Sequence, residues 1–162
     1  MESSSATAES RGIAYFAYGA NMAEGVMAAL CPGHRFLGAA ELPDHRLAFT
    51  RRSIRTGTGV ADVVPVPGRS VWGALYELAH GDVDALDRKE GSGWAYERVP
   101  VDVSLAGQGA AVPALTYRVC EPERDEVIPS AQYLDGLIEA ARARGLPATY
   151  TAELKARRGR VT

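Results

Sequence analysis

The sequence predicts an α+β domain, and a small closed barrel carrying helices on its outside is the architecture that suits it. Three observations lead there. The middle of the chain is a succession of short β-rich segments separated by Pro, Gly and Asp. Segments with helical periodicity flank them. The chain has 162 residues, the length of one domain able to bury a core without disulfide or metal staples.

Residues 13–18 are apolar and aromatic and read as the first strand. Gly19 breaks it, and Asn21 suits a helix N-cap. The helix then covers residues 22–30 and stops before Pro32. Four β segments follow, at residues 34–41, 46–51, 59–64 and 70–77. Residues 81–90 form a helix ended by Gly91. Residues 96–103 and 112–119 are two further strands. Ser130 caps a helix that runs to Arg144 and stops at Gly145-Leu146-Pro147. A last short helix covers residues 149–157. Residues 1–11 lack the basic and apolar regions of a signal peptide. They read as a disordered lead-in to one domain over residues 12–158.

Composition excludes several classes. Hydrophobic residues make up 46% and charged residues 23%, with a net charge of -2. Nothing in that balance points to nucleic acid or an anionic membrane. No apolar run reaches the length of a membrane span. Cys31 and Cys120 form no CxxC pair and show no metal-ligand spacing. Two buried free thiols suit a reducing, cytoplasmic compartment. Lys89 and Lys155 are the only lysines among 18 basic residues. With the abundant alanine, this bias suggests a GC-rich bacterial gene.

Several motifs fail on inspection. Gly57-Thr58-Gly59 begins like a dinucleotide loop, but Asp62 stands at the third glycine position and a strand follows. Gly68 to Gly73 is one residue too long for a nucleophile elbow. His34, His45 and His80 show no metal spacing and read as surface or locally hydrogen-bonded histidines. The basic tail Lys155, Arg157, Arg158 and Arg160 suits a helix C-terminus before it suits an acidic partner.

One carboxylate is out of place. On a helix over residues 81–90, Val83 and Leu86 share a face, and Glu90 falls on that same face. Asp84, Arg88 and Lys89 point elsewhere, as solvated residues should. Glu90 also sits in the last turn, where the helix dipole disfavours an anion. Burial and the dipole both push its pKa upward, which makes a better proton acceptor from an amine. By this geometry alone, a surface glutamate at a frayed helix end is the simpler reading. Asp87 lies about 40° from the same face and reads as a rim residue.

The first strand leads through Gly19 into a helix start, a junction whose N–H groups form a small anion site. Gly19 allows close approach to the main chain. Tyr15 and Tyr18 can wall such a pocket. The same residues serve equally as a turn with core aromatics.

The segment Tyr15-Phe16-Ala17-Tyr18-Gly19-Ala20-Asn21-Met22 resembles the YFAYGSN-type signature of the γ-glutamylcyclotransferase family. Val71-Trp72-Gly73-Ala74-Leu75-Tyr76 is similar to its VWG strand. Leu86-Asp87-Arg88-Lys89-Glu90-Gly91 is similar to its LDxxEG helix end, with Tyr96 at the following tyrosine. Ser130-Ala131-Gln132-Tyr133 and Gly145-Leu146-Pro147 match its C-terminal helix and GLP turn. The resemblance spans residues 13–157 and keeps the family's order.

The resemblance implies a small mixed β-barrel with flanking helices and a pocket at one barrel end. It assigns the catalytic acid/base to Glu90. It assigns recognition of the γ-glutamyl head group to Tyr15, Phe16, Ala17, Tyr18, Gly19, Ala20 and Asn21. By position, Tyr96, Tyr117 and Tyr133 are further pocket residues. Ala20 departs from the family, standing where a serine is usual. The implied reaction turns a γ-glutamyl amide into 5-oxoproline and a free amine, with no metal or organic cofactor. The implied partner is a small γ-glutamyl substrate, without nucleic acid or membrane, and a homodimer is compatible with it. Two alternatives stay open: removal of a γ-glutamyl protecting group from a biosynthetic intermediate, and a non-catalytic γ-glutamyl-binding module.

Overall fold

Two long strands stand where the Pro, Gly and Asp punctuation suggests four short ones. The computed structural model describes residues 12–161, so the expected lead-in at residues 1–11 lies outside the described residues. The chain runs through β1 (Ile13–Ala17), a 3₁₀ turn (Ala20–Met22) and α1 (Glu24–Leu30). Then come β2 (Arg35–Arg52), β3 (Gly59–Leu78), α2 (His80–Glu90), β4 (Tyr96–Leu105) and β5 (Ala111–Val119). Two helices close it, α3 (Ala131–Ala143) and α4 (Ala148–Arg158).

The merging of the strands has a local cause. Pro43 stands opposite Ser70 and His45 opposite Pro65, so Asp44 alone faces residues 66–69. Asp44 adopts φ 58°, and its Oδ1 accepts the Gly68 N–H at 2.9 Å. The result is a bulge rather than a break, with pairing resumed on both sides and the ribbon bent between them. Pro43, Pro65 and Pro67 are exposed there, in a stretch where a missing N–H is tolerated.

The strands close into a barrel in the order β1-β3-β2-β4-β5. The pairs are antiparallel except β1 with β5, which run parallel with Tyr15 opposite Leu115. The barrel is therefore mixed, with helices flanking it, as the sequence leads one to expect. Strand β2 meets β4 only at Ala40 and Glu41. Its second half continues with the first half of β3 as a two-stranded ribbon. The segment after β5 holds that ribbon: Val127 N–H donates to the Phe49 carbonyl at 2.8 Å and Gly59 N–H to the Ile128 carbonyl at 2.9 Å. Buried Asp62 ties it to β5, accepting from Thr50 Oγ1 at 2.8 Å and from the Val119 N–H at 3.0 Å.

The core joins barrel and helices through Phe16, Met22, Met27, Leu75, Tyr76, Leu86, Leu134 and Leu137, all nearly completely buried. Truncating one such leucine to alanine costs about 2–5 kcal/mol. Gly73 is required by close approach, because a Cβ there would lie 2.3 Å from the Ala17 carbonyl oxygen. Ser130 caps α3 as its sequence predicts, accepting the Tyr133 N–H at 3.0 Å. His34 and His45 make short-range hydrogen bonds to the carbonyls of Cys31 and Pro43.

Candidate active site

Helix α2 delivers Glu90. Val83 and Leu86 bury its inner face, and Glu90 follows on that face, half-buried. The helix ends because Gly91 takes φ 60°, ψ 53°, a left-handed conformation that suits glycine. The Ser92 N–H then returns to the Asp87 carbonyl at 2.9 Å. Burial holds the Glu90 carboxyl above its ordinary pKa, while Lys89 and a hydrogen bond from Asn21 oppose that rise.

Strand β1 and its following turn deliver the opposite wall. Asn21 is not the helix N-cap that its residue type suggests. The chain makes a 3₁₀ turn, with Met22 N–H on the Gly19 carbonyl at 3.0 Å. Ala23 then occupies the N-cap of α1, with no side-chain cap. The Asn21 side chain is committed elsewhere. Its Nδ2 donates to Glu90 Oε1 at 2.8 Å and to the Tyr15 hydroxyl at 3.0 Å. Its Oδ1 accepts from Lys89 Nζ. A buried amide with both ends satisfied is a rigid element.

Five tyrosines complete the surround. Tyr18 donates to the Tyr117 carbonyl at 2.5 Å. The Tyr117 hydroxyl donates to Asp87 Oδ1, whose other oxygen pairs with Arg98 at 3.4 Å. Asp87 thus sits at the rim and orients Tyr117. Tyr96 donates to the Ala61 carbonyl at 2.8 Å, and the Tyr133 hydroxyl accepts the Ala61 N–H at 3.1 Å. Burial raises the pKa of all five, Tyr133 to about 12. They are neutral donors at physiological pH. Tyr18, Tyr96 and Tyr117 spend their hydroxyl protons on protein acceptors. Tyr15 and Tyr133 receive hydrogen bonds instead, and among the described residues their own protons have no acceptor.

The cavity between these walls measures about 290 Å³, at the small end for ligand pockets. Of the residues singled out from sequence, Tyr15, Tyr18, Gly19, Ala20, Asn21, Glu90, Tyr96, Tyr117 and Tyr133 line it. Phe16 and Ala17 do not. Both are buried in the core, and the Phe16 ring packs where a Gly73 side chain would lie. Lys89 lines the cavity although helical periodicity places it in solvent. Its long chain, in a final turn, reaches back to Asn21. Ser53, Val60 and Ala61 also line it. They arrive on the β2–β3 ribbon and its connection; the sequence marks the ribbon's strands but carries no signal that they border the cavity.

Comparison with known proteins agrees with this architecture. The AIG2-like family model matches residues 70–154. A γ-glutamylcyclotransferase of Bos taurus is 31% identical over 147 residues, covering 86% of this chain and 76% of that protein. The Homo sapiens γ-glutamylcyclotransferase is 31% identical over 149 residues, covering 88% and 77%. A solved γ-glutamyl cyclotransferase structure superposes with a TM-score of 0.83 at 27% identity, covering 90% of this chain and 87% of that one. The barrel with its flanking helices is therefore the fold of these proteins, and the chain belongs to the AIG2-like, γ-glutamylcyclotransferase family.

Proposed function

We propose that the protein is a γ-glutamyl cyclotransferase that uses Glu90 as its general acid/base. The observation that carries this reading is the meeting of Glu90, its pKa raised by burial, with Asn21 and the Gly19 turn in one cavity. The substrate's α-amine attacks its own γ-amide carbonyl. A new C–N bond closes the five-membered ring, the old one breaks, and the leaving nitrogen takes a proton. An α-ammonium has a pKa near ~8, so it must first lose a proton. Glu90 accepts it and returns it to the leaving nitrogen. A raised carboxyl pKa narrows the gap to the amine and eases both transfers.

Both reacting groups belong to one molecule, so most of the task is holding the folded conformer. Well-oriented intramolecular reactions gain up to ~7–11 kcal/mol in this way. The main chain of residues 18–21 is the proposed grip on the γ-glutamyl head group. The uncommitted hydroxyls of Tyr15 and Tyr133 are the proposed donors to the carbonyl oxygen as it gains charge. Ala20 leaves this scheme intact where its position contributes only backbone.

Cys31 and Cys120 are free, Cys120 being half-buried rather than buried, and a reducing bacterial cytoplasm is the compartment we propose. No helix among the described residues is long and apolar enough to cross a membrane. The test is incubation with γ-glutamyl amino acids and γ-glutamyl amines, following 5-oxoproline and free amine together. Equal release of both supports the reading. Absence of 5-oxoproline across the panel opposes it.

A further inference from the structure

We propose that Lys89 is a positioning residue for Glu90, acting through the side-chain amide of Asn21. This rests on the assignment of Glu90 as the acid/base.

An ammonium only donates and an ionised carboxylate only accepts. Lys89 Nζ donates to Asn21 Oδ1, so the amide must present Nδ2 to its other neighbours. Those neighbours are Glu90 Oε1 at 2.8 Å and the Tyr15 hydroxyl at 3.0 Å. Turned over, the amide would set its oxygen against the Glu90 carboxylate and its NH₂ against the ammonium. Both contacts would be repulsive. Lys89 and Glu90 therefore hold the amide from opposite ends.

Successive residues on a helix point about 100° apart. They can reach one amide here because α2 ends at Gly91 and the lysine stem is long and flexible.

Lys89 is also the counter-charge of Glu90, opposing the effect of burial. The other groups facing Glu90 do not share that role. Tyr15, Tyr18, Tyr96, Tyr117 and Tyr133 surround it from β1, the following turn, β4, β5 and α3, all as neutral hydroxyls. Asp87 on the same helix is engaged by Tyr117 and Arg98. Cys31, near Lys89, is a protonated thiol with its pKa raised to about 11.

The experiment compares Lys89→Met, Lys89→Arg and Glu90→Gln with the parent, measuring kcat and KM for 5-oxoproline release across pH. Lys89 is an exposed residue as a whole, though partial burial lowers its ammonium pKa, and thermal melting checks that each variant folds. In Lys89→Met we expect kcat to fall roughly 10-fold to 100-fold, with KM nearly unchanged. The acidic limb of the profile should move to higher pH, because a cation that lowers the Glu90 pKa is gone. Lys89→Arg should restore both. A Lys89→Met enzyme with the parent's kcat and acidic limb overturns the proposal. So does a change in KM alone, which would make Lys89 a contact to a substrate carboxylate. Near-normal turnover in Glu90→Gln instead removes the underlying assignment, so the two failures are distinguishable.

Discussion

Asn21 and Glu90 lie 69 residues apart in the chain, yet Asn21 Nδ2 donates to Glu90 Oε1 at 2.8 Å. That bond joins the turn after β1 to the end of α2 across the cavity. It places a donor on a carboxylate that burial would otherwise leave protonated more readily.

Asn21→Ala should therefore change both stability and pH dependence. Tyr15 and Lys89 each lose a partner, and a buried group left unsatisfied costs about 1–3 kcal/mol. The hydrogen bond from Asn21 lowers the Glu90 pKa. Its removal should shift the acidic limb of the rate profile upward. Denaturant unfolding and a pH–rate series check the two effects. An unmoved acidic limb would show that the bond does not tune Glu90.

Glu90→Gln should stabilise the fold at neutral pH. The Glu90 pKa is raised on folding, so folding disfavours its charged form. The penalty is absent below the unfolded value of about 4.3 and grows as pH rises through the folded value. Glutamine carries no charge and keeps an oxygen for Asn21. The variant should melt above the parent near pH 7, with the difference closing as pH falls toward about 4. A variant that melts lower at neutral pH would contradict this.

The residues legible from sequence are those whose backbone position decides their role. Glu90 shows itself as an acid on the Val83–Leu86 face. Gly91 and Ser130 show themselves as helix stop and cap, and both act so. The less legible residues are those whose side chains travel. Lys89 leaves its periodic direction for Asn21, and Asn21 gives up a cap to serve the cavity. Phe16 and Ala17 lie within a contiguous motif, but Phe16 packs against Gly73 and both side chains go to the core. The long strands were hidden because one residue, Asp44, absorbs a bulge that looks like a loop in the sequence.

The tyrosines should divide by the fate of their hydroxyl protons. Tyr133 accepts from the Ala61 N–H and keeps its proton free, whereas Tyr96 donates to the Ala61 carbonyl. Tyr133→Phe should lower kcat by about 100-fold if its hydroxyl donates to the developing oxyanion. Tyr96→Phe should mainly cost stability, about 1 kcal/mol for one hydrogen bond. Steady-state kinetics beside thermal melts separate them. Equal kinetic effects would argue against a special role for Tyr133.

Gly19→Val should impair binding rather than folding. A Cβ at Gly19 would lie 3.5 Å from both the Ala61 Cβ and the Tyr133 hydroxyl, an ordinary contact distance. The added methyls then project into the cavity. Overfilling by that amount typically costs 1–3 kcal/mol, so KM should rise about tenfold or more. Unchanged saturation behaviour would mean that the substrate does not approach this turn.

The most direct test compares initial rates of 5-oxoproline release by the parent and by folded Glu90→Gln, on a γ-glutamyl substrate that the parent turns over. The parent should release 5-oxoproline and the variant should lose at least about 100-fold in rate, the scale of a positioned acid/base. Near-parental release from a folded Glu90→Gln enzyme would contradict the role of Glu90.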